Sequence, residues 1–158
     1  MWYRVFGQNG ETPSLDQLQE TLSNITPALE FHFRGDDLGW TGGEIQLLHE
    51  IEQSPLGSPI QLQRYLSGED EIRNDLNSWA GWLETLEYFP DRFRYMELMI
   101  QSQQLFTLRS PLDHANEILL EKIVWAIVKF LAISTNGFIQ IDEQGLFTSN
   151  GKEIVKEY

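Results

Sequence analysis

Three side chains that could do chemistry alternate along one short segment of the sequence. Residues 29–34 place apolar side chains at the odd positions and Glu30, His32 and Arg34 at the even ones. Because residues two apart in a β-strand lie on the same face, the pattern predicts a strand with an acid, an imidazole and a base on its polar face. Such a set suits binding of a small anion or a peptide, or proton transfer by the histidine.

Two further predicted strands can extend this polar face. Residues 44–50 would place Glu44 beside the first strand, and residues 2–7 would add an aromatic floor if they join the same sheet. An ordinary solvated sheet face with cross-strand ion pairs explains the same pattern, so both interpretations stay open. The predicted ligand-binding residues are Trp2, Arg4, Phe6, Glu30, His32, Arg34 and Glu44.

A strong negative charge narrows the class of partner. The 24 acidic and 11 basic residues of the 158-residue chain give a net charge of −13, which repels nucleic acid and anionic lipid. Between residues 69 and 91, seven acids stand against Arg73 alone. We expect no nucleic-acid or membrane partner and predict that a basic protein docks on this segment, although acidity also simply favours solubility. The predicted partner-binding residues are Glu69, Asp70, Glu71 and Asp75.

Several classes of site lack their sequence signature. The chain has no cysteine, which excludes disulfides, thiolate metal sites and a cysteine nucleophile. Phosphate loops, dinucleotide-binding glycine patterns, serine nucleophile elbows and HExxH are absent as well. Asp36 and Asp37 lie in a glycine-rich connection, but their spacing matches no calcium loop, and a hairpin turn held by aspartate hydrogen bonds explains them. We therefore expect neither a metal nor a cofactor.

The compartment is predicted from two absences. The first residues carry neither a basic n-region nor an apolar h-region, and the most apolar stretch, residues 118–133, is interrupted by charged side chains. That stretch also falls short of the ~20 residues that a bilayer span needs. We expect a soluble, cytoplasmic protein of one domain.

Hydrophobic periodicity predicts the order β-α-β-β twice, around a helical insert. We expect an α+β fold in which both units form an antiparallel or mixed sheet with its helices on one face. The first unit is residues 1–53, with strands at 2–7, 29–34 and 44–50 and a helix capped by Ser14. The insert is residues 54–103 and is predicted to contain three helices. The first is at about 60–66, the second begins at a Ser67 cap and ends before Pro90, and the third is at about 91–103. The second unit is residues 104–158, with strands at about 105–109, 138–142, 146–148 and 153–157 and a helix from Pro111 to about 134.

Three functions fit these features. The favoured one is a non-catalytic acidic binding protein that recognises a protein partner, for example as an immunity-type neutraliser of a toxin. The alternative is a small-molecule-binding domain that uses the free face of the sheet. The third is an enzyme in which His32 is the acid or base and Glu44 or Asp36 orients it.

Overall fold

An eight-stranded antiparallel sheet forms the centre of the computed structural model, in the order β2-β3-β4-β5-β1-β6-β7-β8. The structure describes the backbone of residues 1–158 and every side chain except that of Asp70. The strands are β1 (Trp2–Gly7), β2 (Leu29–Asp36), β3 (Gly39–Leu47), β4 (Ile60–Leu66), β5 (Gln104–Arg109), β6 (Phe138–Ile141), β7 (Gly145–Phe147) and β8 (Glu153–Lys156).

Four helices accompany the sheet. Two of them begin with side-chain caps: Ser14 accepts a hydrogen bond from the backbone N–H of Gln17, as predicted, and Asn116 accepts one from Leu119. The helices are α1 (Leu15–Ser23), α2 (Asp70–Glu84), α3 (Arg92–Ile100) and α4 (Glu117–Ser134).

The helices lie on both faces of the sheet, which corrects the expectation of one helical layer. Alternation along β1 sends Val5 into a core with α1 and α4, and sends Phe6 into a second core with α2 and α3. The α+β class is confirmed. The single-layer arrangement is wrong because the apolar stripe of α2, centred on Leu76, packs against the face opposite to α4.

The second core does not reach the first strands of the sheet. Among the described residues, the strand side chains beneath α2 and α3 come from β1 and from β4 to β8, while β2 and β3 contribute none to that core. Glu30, His32, Arg34 and Glu44 accordingly stand exposed on this face. The face is therefore half covered by helices and half open.

The arrangement as two β-α-β-β units is not confirmed. β1 pairs with β5 on one side and with β6 on the other, so it lies within the second predicted unit and away from β2 and β3. The strands of the chain therefore form one sheet whose order does not follow the predicted division at residues 54 and 104.

Several predicted elements need correction. Ile60–Leu66 is strand β4 and not a helix, so the insert is not purely helical. Strand β3 begins at Gly39, because the predicted glycine-rich connection is mostly strand around a two-residue turn. Helix α4 starts at Glu117 rather than Pro111, and α2 has Glu69 rather than Ser67 at its N-cap.

No helix in the described part of the chain is both long enough and apolar enough to cross a membrane.

Candidate functional site

A groove of about 590 Å³ runs between α2 and the sheet. Its floor comes from strands β1, β4 and β5, and its acidic wall comes from the N-terminal part of α2. It therefore combines residues that the sequence assigned to two different sites. Its aromatic and charged lining side chains are Trp2, Arg4, Tyr65, Glu71, Asp75 and Trp79, with Glu69 at the helix start.

Strand pairing positions the floor of the groove. In the β1–β5 register Trp2 is opposite Arg109 and Arg4 is opposite Thr107, so both side chains project from one face. In the β4–β5 register Tyr65 is opposite Leu105 on that same face. The floor thus presents an aromatic residue from each of two strands. Trp2 is 40% exposed, which leaves part of its indole available to a ligand.

Helical spacing positions the acidic wall. Ile72 and Leu76 are buried against the sheet and fix the rotation of α2. Glu71, Asp75 and Trp79 then follow at four-residue intervals, which places them on one side of the helix. Because that side borders the floor, both carboxylates and the indole line the same groove.

Arg4 is the one basic side chain among the groove residues, and it already has partners. Its Nη1 donates to the Oε1 of Gln140 at 2.8 Å and to the Oδ1 of Asp142 at 2.7 Å. Its guanidinium carbon lies 4.4 Å from the centroid of the Trp79 ring. The positive charge of Arg4 is therefore balanced by Asp142 rather than by the acids of the wall.

The acids of the wall have no basic partner among the described side chains. Within that set only Arg4–Asp142 and the pair formed by His32 and Glu30 lie within ion-pair distance. Glu69, Glu71 and Asp75 are exposed. The wall consequently carries negative charge without an ion-pair partner, while exposed Arg109 lies over the Trp2 ring of the floor.

The seven predicted ligand-binding residues share one face of the sheet, as alternation predicted. They do not form one site, because β4 and β5 lie between β1 and the β2–β3 pair. Trp2 and Arg4 line the groove, whereas Phe6 is fully buried beneath α2 and stacks on Phe138 at 5.1 Å. The four residues on β2 and β3 lie on the open part of the sheet: Glu30, His32, Arg34 and Glu44.

Three of the four predicted partner-binding residues line the groove. They are Glu69, Glu71 and Asp75. The side chain of the fourth, Asp70, lies outside the described residues. The structure therefore joins the aromatic part of the first predicted site to the acidic part of the second.

His32 occupies an open position. The side chain is 70% exposed, and its Nε2 lies 3.5 Å from the Oε2 of Glu30. Glu44 is its cross-strand neighbour in β3. His32 lines none of the four main cavities among the described residues, so these cavities lend no support to its role as a catalytic acid or base.

The turn between β2 and β3 is held by the predicted aspartate hydrogen bond. The backbone N–H of Leu38 donates to the Oδ1 of Asp36 at 2.8 Å. Trp40, which follows this turn in β3, is buried and donates from its indole nitrogen to the carbonyl of Pro13 at 2.9 Å. In the part of the chain that the structure describes, no three His, Asp or Glu residues converge as metal ligands.

Two groove residues escaped sequence reasoning. Tyr65 lies in β4, which was predicted as a helix, so its place on the sheet face was not foreseen. Trp79 was not predicted as a site residue, although its ring borders the groove and packs at 5.2 Å against Trp82. The acids four and eight residues before it were the available signal, since they share its helix face.

Comparison with other proteins adds no relative. No protein-family model, no curated protein and no solved structure matches the chain.

Proposed function

We propose that this protein is a non-catalytic binding protein that receives basic side chains of a protein partner in the groove between α2 and the sheet. One observation carries the proposal. Trp2 and Trp79 lie in one groove with Glu71 and Asp75, and the cation of that groove, Arg4, is already paired with Asp142.

Aromatic rings beside free carboxylates are suited to arginine and lysine. A guanidinium or ammonium group over an indole face gains a cation–π interaction, and a carboxylate at its edge adds a charge-assisted hydrogen bond. A planar guanidinium can make both interactions at once, since its face stacks on the ring while its N–H groups donate within its plane. Arg4 already stacks on Trp79 in this way from within the chain.

The overall charge supports a protein partner over a free small cation. A net charge of −13 creates a field that accelerates association with a basic surface. Exposed acids also occur in the same insert outside the groove lining, at Glu84 and Glu87, so the negative surface is larger than one small-molecule site. An immunity-type protein that neutralises a basic toxin in the cytoplasm is one form of this proposal.

Isothermal titration calorimetry with an octa-arginine peptide tests the proposal. We expect measurable binding to the parent protein, weakened at high salt because the exposed charges are screened. The double variant Glu71→Gln/Asp75→Asn should bind at least about tenfold more weakly, since each lost charge-assisted hydrogen bond contributes about 1.5–3 kcal/mol.

The control removes the same charge elsewhere in the insert. Glu84→Gln/Glu87→Gln lowers the net negative charge equally but leaves the groove lining intact. It should cost much less affinity than the groove variant. Equal losses in both variants, or no binding of octa-arginine at any salt concentration, would show that the groove is not the recognition site. Titration with arginine amide in the same way shows whether a free small cation binds to the groove as a peptide does.

A further inference from the structure

We infer that strand β2 pairs with β2 of a second copy of this chain, antiparallel and centred on His32, so that one sheet continues through both copies. This inference is independent of the proposed groove function. Strand β2 is at one end of the strand order and has no described strand on its outer side. It is also the longer edge, with eight residues against four in β8.

The outward backbone groups of β2 can be identified from its pairing with β3. The N–H of Leu48 donates to the carbonyl of Ala28 at 2.9 Å, which makes Ala28 and Leu48 a hydrogen-bonded pair. Inward and outward groups alternate along an antiparallel edge strand, so Glu30, His32 and Arg34 direct their backbone groups toward β3. Phe31 and Phe33 therefore direct theirs away from the sheet, where a second strand can accept and donate.

Charge selects one register among those that the backbone allows. In a two-fold pairing centred on His32, Glu30 lies opposite Arg34 of the second copy, and this ion pair occurs twice. Centring on Phe33 would instead place Glu30 opposite Asp36, two like charges. Centring on Phe31 would place Glu30 opposite His32 and leave both Arg34 side chains without an acid.

On both faces of the paired strands, the side chains that lie opposite each other are complementary. On the open face, Glu30 and Arg34 are exposed, and Arg34 uses one Nη2 contact to Gln63 at 2.8 Å, which leaves its Nε and Nη1 without a described partner. On the other face, Phe31 lies opposite Phe33 of the second copy, and each ring is only half-buried in one copy. The pairing adds roughly four backbone hydrogen bonds from Phe31 and Phe33.

Most of strand β2 also lacks the excess of negative charge that makes two copies of this chain repel each other elsewhere. Residues 29–34 contain one acid and one base, so this edge is locally balanced in a chain of net charge −13. Charged side chains on an edge strand normally discourage nonspecific sheet growth. In the pairing centred on His32, however, Glu30 and Arg34 each lie opposite a side chain of the other sign on the second copy.

Charge reversal tests the register by sedimentation velocity of the full chain over a range of concentrations. The parent should show reversible dimerisation. Glu30→Arg alone, or Arg34→Glu alone, places like charges opposite each other twice and should weaken the dimer at least about tenfold. The double variant Glu30→Arg/Arg34→Glu restores both pairs and should return the dimer to within about threefold of the parent. A monomeric parent, or a double variant no better than the single ones, would overturn the inference.

Engineered cysteines give a second readout that does not depend on affinity. Because the chain has no cysteine, each new thiol is the only one present. His32→Cys should form a disulfide-linked dimer under mild oxidation, since directly opposite residues of a non-hydrogen-bonded pair lie about 4.5–5.5 Å apart at Cβ. Glu30→Cys mixed with Arg34→Cys should cross-link faster than either variant alone. Cross-linking of each variant with itself at the rate of the mixture would contradict this register.

Discussion

Arg4 stacks on Trp79, with its guanidinium carbon 4.4 Å from the centroid of the indole ring. The contact joins β1 to α2 and therefore joins the floor of the groove to its wall. The same guanidinium donates to Asp142, the residue that directly follows β6. Arg4 thus positions the Trp79 ring that we propose to contact the partner, without adding net positive charge to the groove.

Replacing Arg4 by methionine should lower the free energy of unfolding by about 1–2 kcal/mol, because the change removes two hydrogen bonds and the stacked cation. The partial exposure of Asp142 screens the ion pair and keeps the loss in this range. Arg109→Met is the control: Arg109 is exposed over Trp2, and its loss should cost less than about 0.5 kcal/mol. Urea unfolding measures both, and equal midpoints would show that Arg4 does not join the two elements.

Buried Arg64 should matter more to stability than any surface arginine. Burial lowers the pKa of Arg64 below its ordinary value, with the charge of Asp36 opposing that shift, yet the group stays protonated. Its donors reach four oxygens, those of the Gln104 side chain, the Leu38 and Trp40 carbonyls and the Thr12 hydroxyl.

Arg64→Met removes these hydrogen bonds and leaves the buried Oε1 of Gln104 without its donor, so we expect the free energy of unfolding to fall by about 2–4 kcal/mol. Exposed Lys152→Met is the matched control and should stay within about 0.5 kcal/mol of the parent. Thermal unfolding followed by near-ultraviolet circular dichroism checks both variants. A methionine variant as stable as the parent would mean that the hydrogen bonds of Arg64 only offset its desolvation.

Ser58 should control the titration of Asp113. The Ser58 hydroxyl donates to Oδ2 at 2.8 Å and its backbone N–H donates to Oδ1 at 3.2 Å, and these bonds lower the pKa of the Asp113 carboxyl. Ser58→Ala removes the larger of the two causes and should raise that pKa. A pH titration of the side-chain carboxyl carbon by NMR measures the shift.

The sign of the resulting pH dependence is fixed by linkage. Because the pKa of Asp113 is lower in the folded than in the unfolded chain, its stabilising contribution is complete above the unfolded value. It disappears as the pH falls through the folded value. The stability difference between the parent and Ser58→Ala should therefore vanish in acid, and a difference that persists there would assign the effect to the serine alone.

Two glycines should respond to alanine with opposite signs. Gly145 has φ = 129°, and a Cβ there would overlap the carbonyl oxygen of Val155, so Gly145→Ala should destabilise by about 1–3 kcal/mol. Gly81 occupies an exposed position within helix α2 with open space around it, so Gly81→Ala should stabilise by about 0.5–1 kcal/mol. Guanidinium unfolding compares them, and equal signs would contradict this assignment of their roles.

The faces of three strands could be predicted from the sequence, but β4 was wrongly predicted as a helix. Alternation placed the side chains of β1, β2 and β3 on the correct face, because pleating makes the pattern local. In β4 the core-facing position between Leu62 and Leu66 is occupied by Arg64, which interrupts the apolar alternation. The charge is tolerated there because Gln104 and backbone carbonyls accept its hydrogen bonds, and no local pattern reveals those acceptors.

The groove itself depends on pairings that a local pattern cannot specify. Trp2 meets Arg109 across β1 and β5, two strands separated by most of the chain. The order of the strands places β3, β4 and β5 between β2 and β1, and hence separates His32 from Trp2. Sequence spacing fixed which residues share a face of α2, and only the fold showed that this face borders Trp2.

The indole N–H signals of the protein test the groove most directly, because the five tryptophans lie at different places. We predict that titration with octa-arginine shifts the Trp2 and Trp79 signals with one common saturation curve, while those of Trp40, buried beside Pro13, and Trp125, on α4, stay in place. Unchanged Trp2 and Trp79 signals at saturation, or shifts centred on Trp125, would contradict the proposal that this groove receives the basic partner.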